Sequence, residues 1–319
     1  MKPRKFFIIR HSIYGLRSKP MLLLYGCALL FFSSVKGQQG RLFTFLNYNT
    51  KYGFEKDSAL TTNYVDWVKK LAPDVIAYQE MNGFTQNDIG NLAKRYGHPY
   101  AVIMNREYGV PVTHPLAITS KYPILDVRRV MDNLWHGYLY AKINGIHFFI
   151  THLAPFTLED RQKDIRKIVA QMQSIPKNEM VVLAGDFNAL SPLDSLVYGD
   201  DLLNAMKRSE GKFIKKSGTP ILRKRTVHRR NLNNGQIDYS VIQELIDAGF
   251  EDSFYLRNDV FKNSVPTEQY RKESSFLRRI DYIWVNGQLS EKVEYSDILK
   301  DSLTNRLSDH YPTILKLKL

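Results

Sequence analysis

Cysteine is almost absent: Cys27 is the only one in 319 residues. That excludes a disulfide scaffold and CxxC chemistry. No HxxxH pair occurs either, so a His/Cys zinc site has no closely spaced ligands. No G-x-S-x-G segment is present to set a serine nucleophile on its elbow. Long apolar runs are also missing. The run from Met21 to Phe32 has twelve residues, against the roughly 20 that a membrane-spanning helix needs. No internal repeat or Gly/Ser linker divides the chain after residue 40. One domain over residues 38–319 is therefore expected, and 44% hydrophobic residues are ample for its core.

Acidic residues are missing from residues 1–37, which carry seven Lys/Arg ahead of and just after the apolar run. Basic residues, a short apolar stretch and then Ser33 to Gly37 read as a signal peptide cleaved after Gly37. The expectation is an exported protein, periplasmic or secreted. An uncleaved N-terminal membrane anchor is the rival reading. Leu24 to Cys27 loosely resembles a lipobox, though Tyr25 fits it poorly. Of the formal net charge of +13, residues 1–37 supply seven, which leaves +6 for the rest. Leu203 to Asn231 alone holds ten Lys/Arg against Glu210, so the remainder is slightly acidic. That basic insert suits a polyanion, nucleic acid or anionic headgroups, or it is a solvated loop. Phe213 is its one aromatic, so a base-stacking platform is not evident there.

The most informative segment is MVVLAGDFNAL, Met180 to Leu190. An apolar run reads as a buried strand that ends at Gly185 and delivers Asp186 and Asn188. Residues two apart on an extended chain share a face. A carboxylate and an amide side by side suit attack on a phosphate ester. Other polar residues also follow apolar runs: Asn49 in FLNYNT, Glu80 in AYQEMN and His152 in FFITHLAP. Asp281 in RRIDYIWV and Asp309-His310 in LSDHYPT complete the set. Polar residues at strand ends are where an α/β protein builds a site on a rigid frame.

This ordered set resembles the endonuclease/exonuclease/phosphatase superfamily, which includes deoxyribonuclease I, exonuclease III, neutral sphingomyelinase and inositol polyphosphate 5-phosphatases. The resemblance runs from about Arg41 to Leu319. It implies an α/β (α+β) fold, a four-layer α/β/β/α sandwich of two mixed β-sheets with helices outside. It also implies a Mg2+-dependent phosphodiesterase, with Mn2+ as a substitute. On that reading Glu80, Asn49 and Asp309 serve the metal, with Asn49 acting through its amide oxygen. Asp186 or His310 activates water, Asp281 orients His310, and Asn188 and His152 hold or protonate phosphate oxygens. His152 favours the branch with two histidines. In that branch a glutamate upstream partners the first histidine, whereas here His114 or Pro115 stands near that position.

The coarse pattern agrees. Helices are expected at Ser58–Leu71, capped by Asp57 or Ser58, at 87–96, at 158–172 and at 237–248. Strands are expected on either side of the Lys121 to Pro123 turn, and a hairpin around Asn144-Gly145. His98, His136, His147 and His228 are expected to have no catalytic part. The protein is expected to be a monomer acting on nucleic acid in preference to phospholipid headgroups, as an endonuclease. A lipid phosphodiesterase or inositol phosphate phosphatase is the alternative, and a non-catalytic binding module on the same fold is the reading of a different class.

Overall fold

The structure is a computed structural model, and it describes residues 42–209, 214–216, 219–221, 231–273 and 275–319. The expected signal peptide and most of the basic insert lie outside the described residues. Residues 40–319 form one compact unit. Among the described residues, no helix is long and apolar enough to cross a membrane.

Two six-stranded mixed sheets make the frame. In chain order the elements begin β1 (Phe43–Asn49), the short turn α1 (Lys51–Phe54), α2 (Ser58–Leu71), β2 (Val75–Gln79) and α3 (Gln86–Arg95). Next come β3 (Tyr100–Met104), β4 (Leu116–Ser120), β5 (Ile124–Val130), β6 (Tyr138–Ile143), β7 (Ile146–His152), α4 (Leu158–Gln173) and β8 (Met180–Asp186). After α5 (Asp200–Ser209) come two small hairpins, β9 (Ile214–Lys216) with β10 (Thr219–Ile221) and β11 (Leu232–Asn233) with β12 (Gln236–Ile237). The chain closes with α6 (Ser240–Asp247), β13 (Glu251–Asp252), β14 (Asp281–Val285), α7 (Gly287–Ser290), β15 (Val293–Ile298), α8 (Thr304–Leu307) and β16 (Thr313–Leu317). One sheet runs β15-β16-β1-β2-β4-β3 and the other β13-β14-β8-β7-β6-β5. The pairs β1/β2 and β7/β8 are parallel; the others are antiparallel.

Strand parity explains the layers. Phe43, Phe45, Phe148, Ile150, Val182, Ala184, Ile283 and Leu315 fill the space between the sheets. Phe45 and Phe148 meet there with ring centroids 5.0 Å apart. The alternate residues Leu46, Tyr48, Ile76 and Tyr78 face outward and pack on Tyr64, Val65 and Val68 of α2 and Ile89 and Leu92 of α3. On the opposite outer face, Leu183 and Trp284 pack on Ile165, Ile168 and Met172 of α4 and Val241 and Leu245 of α6. This is the four-layer sandwich the resemblance implies.

Local signals account for most boundaries. Asp57, and not Ser58, caps α2, accepting from the N–H groups of Ala59 and Leu60, an interaction worth about 1 kcal/mol. The Asn144-Gly145 turn has both residues at positive φ, as a two-residue hairpin loop requires. The helix expected at 237–248 starts at Ser240 instead. Asn234 and Gly235 also take positive φ, so Gln236-Ile237 turn back as β12 against β11. The Ser240 N–H is then held by the Asp238 carboxylate at 2.9 Å.

Candidate active site

The inter-sheet stripe of each central strand is apolar along its length and polar at one end. On β1 the stripe reads Phe43, Phe45, Asn47, Asn49; on β7 it reads Ile146, Phe148, Ile150, His152. On β8 it reads Val182, Ala184, Asp186, and β14 begins with Asp281 before Ile283 and Val285. Register does the rest. His152 pairs with Asp186 across the parallel β7/β8 ladder, and Asp186 with Asp281 across β8/β14. One row therefore holds His152, Asp186 and Asp281 at the mouth between the sheets. The opposite sheet answers with Asn49, whose Nδ2 donates to Asp186 Oδ2 at 3.0 Å and to Glu80 Oε1 at 3.3 Å.

The loops complete the row. His310 Nδ1 lies 2.8 Å from Asp281 Oδ2, and its Nε2 faces Asp186 Oδ2 at 3.8 Å. His152 Nε2 is 3.4 Å from the same Asp186 oxygen. Asp309 Oδ1 is 4.0 Å from His310 Nε2, and its side chain is 40% exposed. All eight residues expected from the sequence thus fall in one connected cluster.

Three backbone features make the close approach feasible. Gly185 sits at φ +153 with the Thr151 carbonyl oxygen 1.9 Å from where a Cβ would be, so only glycine lets β8 run this near β7. Glu80 adopts φ +60, uncommon for a residue with a side chain. Its Oε2 accepts from the Tyr52 N–H at 3.2 Å. Asn188 takes φ +49. It does not come beside Asp186 by strand parity as expected, because β8 ends at Asp186. The left-handed turn instead brings the Asn188 N–H to Asp186 Oδ1 at 2.9 Å, while its Nδ2 donates to the Leu153 carbonyl at 3.1 Å.

Electrostatics separate the two titratable partners. Burial pushes the Asp186 carboxyl up to about 7, countered by His310 and reinforced by Asp281. Burial opposes the charge on His310, but Asp281 and Asp186 outweigh it and lift its pKa to about 10. At neutral pH the ring is a cation held between Asp281 and an Asp186 carboxyl poised to exchange its proton.

Some residues that sequence reasoning passed over belong to the site's support. The Ser308 hydroxyl donates to the Asn49 carbonyl at 2.8 Å and accepts from the His310 N–H at 3.2 Å, joining both halves. The Ser264 hydroxyl accepts the Ile280 and Asp281 N–H groups. His136 had no partner in sequence terms, yet its ring packs 4.6 Å from that of His152, and its Nδ1 meets the His152 carbonyl at 3.2 Å. Burial, with His114 nearby, depresses His136 to about 3 and keeps it neutral. A neighbouring pair of rings carries no chain-local signal, so spacing could not have found it. His98 and His147 are structural, as expected. His98 sits between Thr119 and the Pro73 carbonyl, and His147 between Tyr140 and Glu179. His228 lies outside the described residues.

The donor set fits a hard divalent cation. Glu80, Asp186, Asp281 and Asp309 converge here, and Asp281 Oδ1 is buried without a hydrogen-bond partner among the described residues. Asp186, Asp281 and His310 lie close enough to hold an ion as a group. His310 Nδ1 is already committed to Asp281, however, and Glu80 and Asp309 are the partly exposed acids of the set. Asn49 differs from expectation. Its amide oxygen accepts the Lys51 N–H at 3.0 Å, and its nitrogen serves the carboxylates. A 540 Å³ cleft lined by Lys56, Asn82, Phe84 and Arg95 includes none of these eight residues.

Comparison with known proteins agrees with this fold. No curated protein matches. Among solved structures, an AP endonuclease from Archaeoglobus fulgidus superposes with a TM-score of 0.62 at 16% identity, covering 87% of this chain and 100% of that one. A 3′ phosphatase from Neisseria bound to a product DNA hairpin gives 0.61 at 15%, with the same 87% and 100% coverage. At this identity they establish the shared fold. The family model for the endonuclease/exonuclease/phosphatase family matches residues 46–310, from β1 through His310, and the chain belongs to that family.

Proposed function

We propose that the protein is an exported, magnesium-dependent phosphodiesterase that cleaves nucleic acid by in-line attack of water. The observation that carries this reading is the row His152–Asp186–Asp281 with His310 closing it. Two carboxylates, a cationic imidazole and a second imidazole face one opening. Asp186 is the base: Asn188 and Asn49 hold both its oxygens in place, and it lies beside a protonated donor. His310, fixed by Asp281 through Nδ1, directs Nε2–H toward a phosphoryl oxygen. The second N–H of Asn188 holds another phosphoryl oxygen, and His152 holds or protonates the leaving one. A magnesium ion held by Glu80 and Asp309, with Asn49 orienting Glu80, would supply charge stabilisation on the phosphoryl group.

Nucleic acid is favoured because one similar structure, a 3′ phosphatase, is bound to a product DNA hairpin, and because the sequence places ten cations in residues 203–231. Export rests on the composition of residues 1–37. The test is a substrate panel: plasmid DNA, RNA, sphingomyelin, phosphatidylinositol phosphates and soluble phosphomonoesters, each with Mg2+, with Mn2+ and with EDTA. Metal-dependent cleavage of DNA or RNA is expected. Hydrolysis of lipid alone would move the substrate class, and no hydrolysis of anything would leave a binding module.

A further inference from the structure

Four hydrogen bonds close a ring behind the site, and none of its outer members was singled out by sequence. Arg161, on α4, is fully buried. Its Nη1 donates to the Ala154 carbonyl at 3.0 Å and its Nη2 to Asn231 Oδ1 at 3.2 Å. Asn231 Nδ2 donates onward to the Asn188 carbonyl at 3.2 Å. Asn188 Nδ2 returns to the Leu153 carbonyl at 3.1 Å, one residue from Ala154. The ring therefore ties together the chain leaving His152 and the turn leaving Asp186. Asn231 had been grouped with the basic surface insert, yet it is 3% exposed and belongs to the interior.

We infer that Arg161 and Asn231 are positioning residues for the reaction. They fix the left-handed turn at Asn188, and through it the N–H that holds Asp186 Oδ1. Two features make this more than packing. Asn188 holds φ +49, a left-handed conformation that Asn tolerates better than most side chains but that its hydrogen bonds here hold in place. The planar guanidinium fork also serves two acceptors on separate segments at once, in a fixed geometry. A misplacement of about 1 Å at a reacting group costs on the order of 100-fold in rate. The inference rests on the phosphodiesterase reading above and predicts which part of it fails.

The variant Asn231→Asp keeps an oxygen for Arg161 but loses the donor to the Asn188 carbonyl. Asn231→Leu keeps the volume and loses both bonds. Turnover of bis(p-nitrophenyl) phosphate with Mg2+ by the full chain should fall about 10- to 100-fold in kcat for both variants. KM should stay within about threefold, because bound substrate does not touch Asn231. Arg161→Lys, a single ammonium in place of the fork, should fall between wild type and Asn231→Leu. Independently of activity, hydrogen exchange in peptides covering residues 153–154 and 187–190 should quicken about tenfold in Asn231→Asp while the strands stay protected. Wild type inactive on the probe, with the exchange change present, would sink the phosphodiesterase reading and keep the ring. Active wild type, with Asn231→Asp matching it in kcat and in exchange, overturns the inference.

Discussion

Two buried charge clusters lie a short way apart along β14, and they are built on opposite principles. Around Arg279, the guanidinium Nη1 meets Asp252 at 2.6 Å and Nε meets Asp194 at 3.0 Å. The rings of Tyr282, Tyr255 and Phe254 stand 4.6, 4.8 and 5.2 Å from its charge. Arg279, Asp194, Asp252, Phe254 and Tyr282 are buried, and the cation can never give up its proton in the working range. Two residues along the chain, Asp281 begins a cluster whose cation is an imidazole, whose acids outnumber it, and whose edge at Asp309 is wet. The first cluster is closed and static; it fixes the strand that presents Asp281. The second is left shorter still of positive charge, with Glu80, Asp186, Asp281 and Asp309 around one imidazole, and is titratable, which is what a site needs if it is to accept a cation and a phosphate and to move a proton. Buried charge alone does not mark function. What marks it is charge left uncompensated beside an opening.

Exchanging the roles of these clusters is the strongest way to break that distinction. His310→Ala and Asp186→Ala should each lower kcat by about 1000-fold or more, as loss of a triad-type group does. Both variants should still fold cooperatively, so that the loss is read in kcat per folded molecule. Arg279→Ala should do the reverse. Removing one partner of a buried ion cluster costs about 3–5 kcal/mol, so urea unfolding should shift by that amount. Activity below the unfolding transition should survive in the fraction still folded. A kcat loss in Arg279→Ala larger than its folded fraction explains would erase the distinction between the two clusters.

Much of the site was legible because strand parity is a local rule. An apolar stripe that turns polar at one end shows in Ile146 to His152 and in Val182 to Asp186 without any partner strand. Helix α2 was legible to its last residue because its cap and periodicity lie within one segment. The less legible parts depend on distant partners. Arg161 and Asn231 are seventy positions apart, and each reads alone as an ordinary surface residue. Arg279 reads as one of two arginines before Asp281 until Asp194 and Asp252 are placed beside it. Strand β15 escaped because VEYSDI sits at a sheet edge, where one neighbour suffices and alternation is weak. The β11–β12 turn is the exception: Asn234-Gly235 is a local signal, masked by the apolar pattern of the helix that follows.

The smallest effect sharpens the comparison most, because it reads the titration itself. The pKa of His310 is lifted from 6.5 to about 10. Its contribution to stability is therefore complete below pH 6.5 and is lost as pH rises through about 10. Asp186 is lifted from 3.8 to about 7, so the fold favours its protonated form. That contribution is present at low pH and fades as pH rises from 3.8 toward 7, the same sense as His310. The two act in sequence, Asp186 first and His310 second. In EDTA, the thermal midpoint of wild type minus that of His310→Gln should be largest near pH 6 and should shrink steadily toward pH 10. Wild type minus Asp186→Asn should move the same way at lower pH, turning negative above about pH 7, where the ionised buried carboxylate is a burden that the amide does not carry. A variant with only Arg279 replaced should show no such trend between pH 6.5 and 10, since nothing titrates at that position in the window. A flat wild-type-minus-His310→Gln difference across it would mean the imidazole is not held as a cation between Asp281 and Asp186, and the acid–base assignment would fall with it.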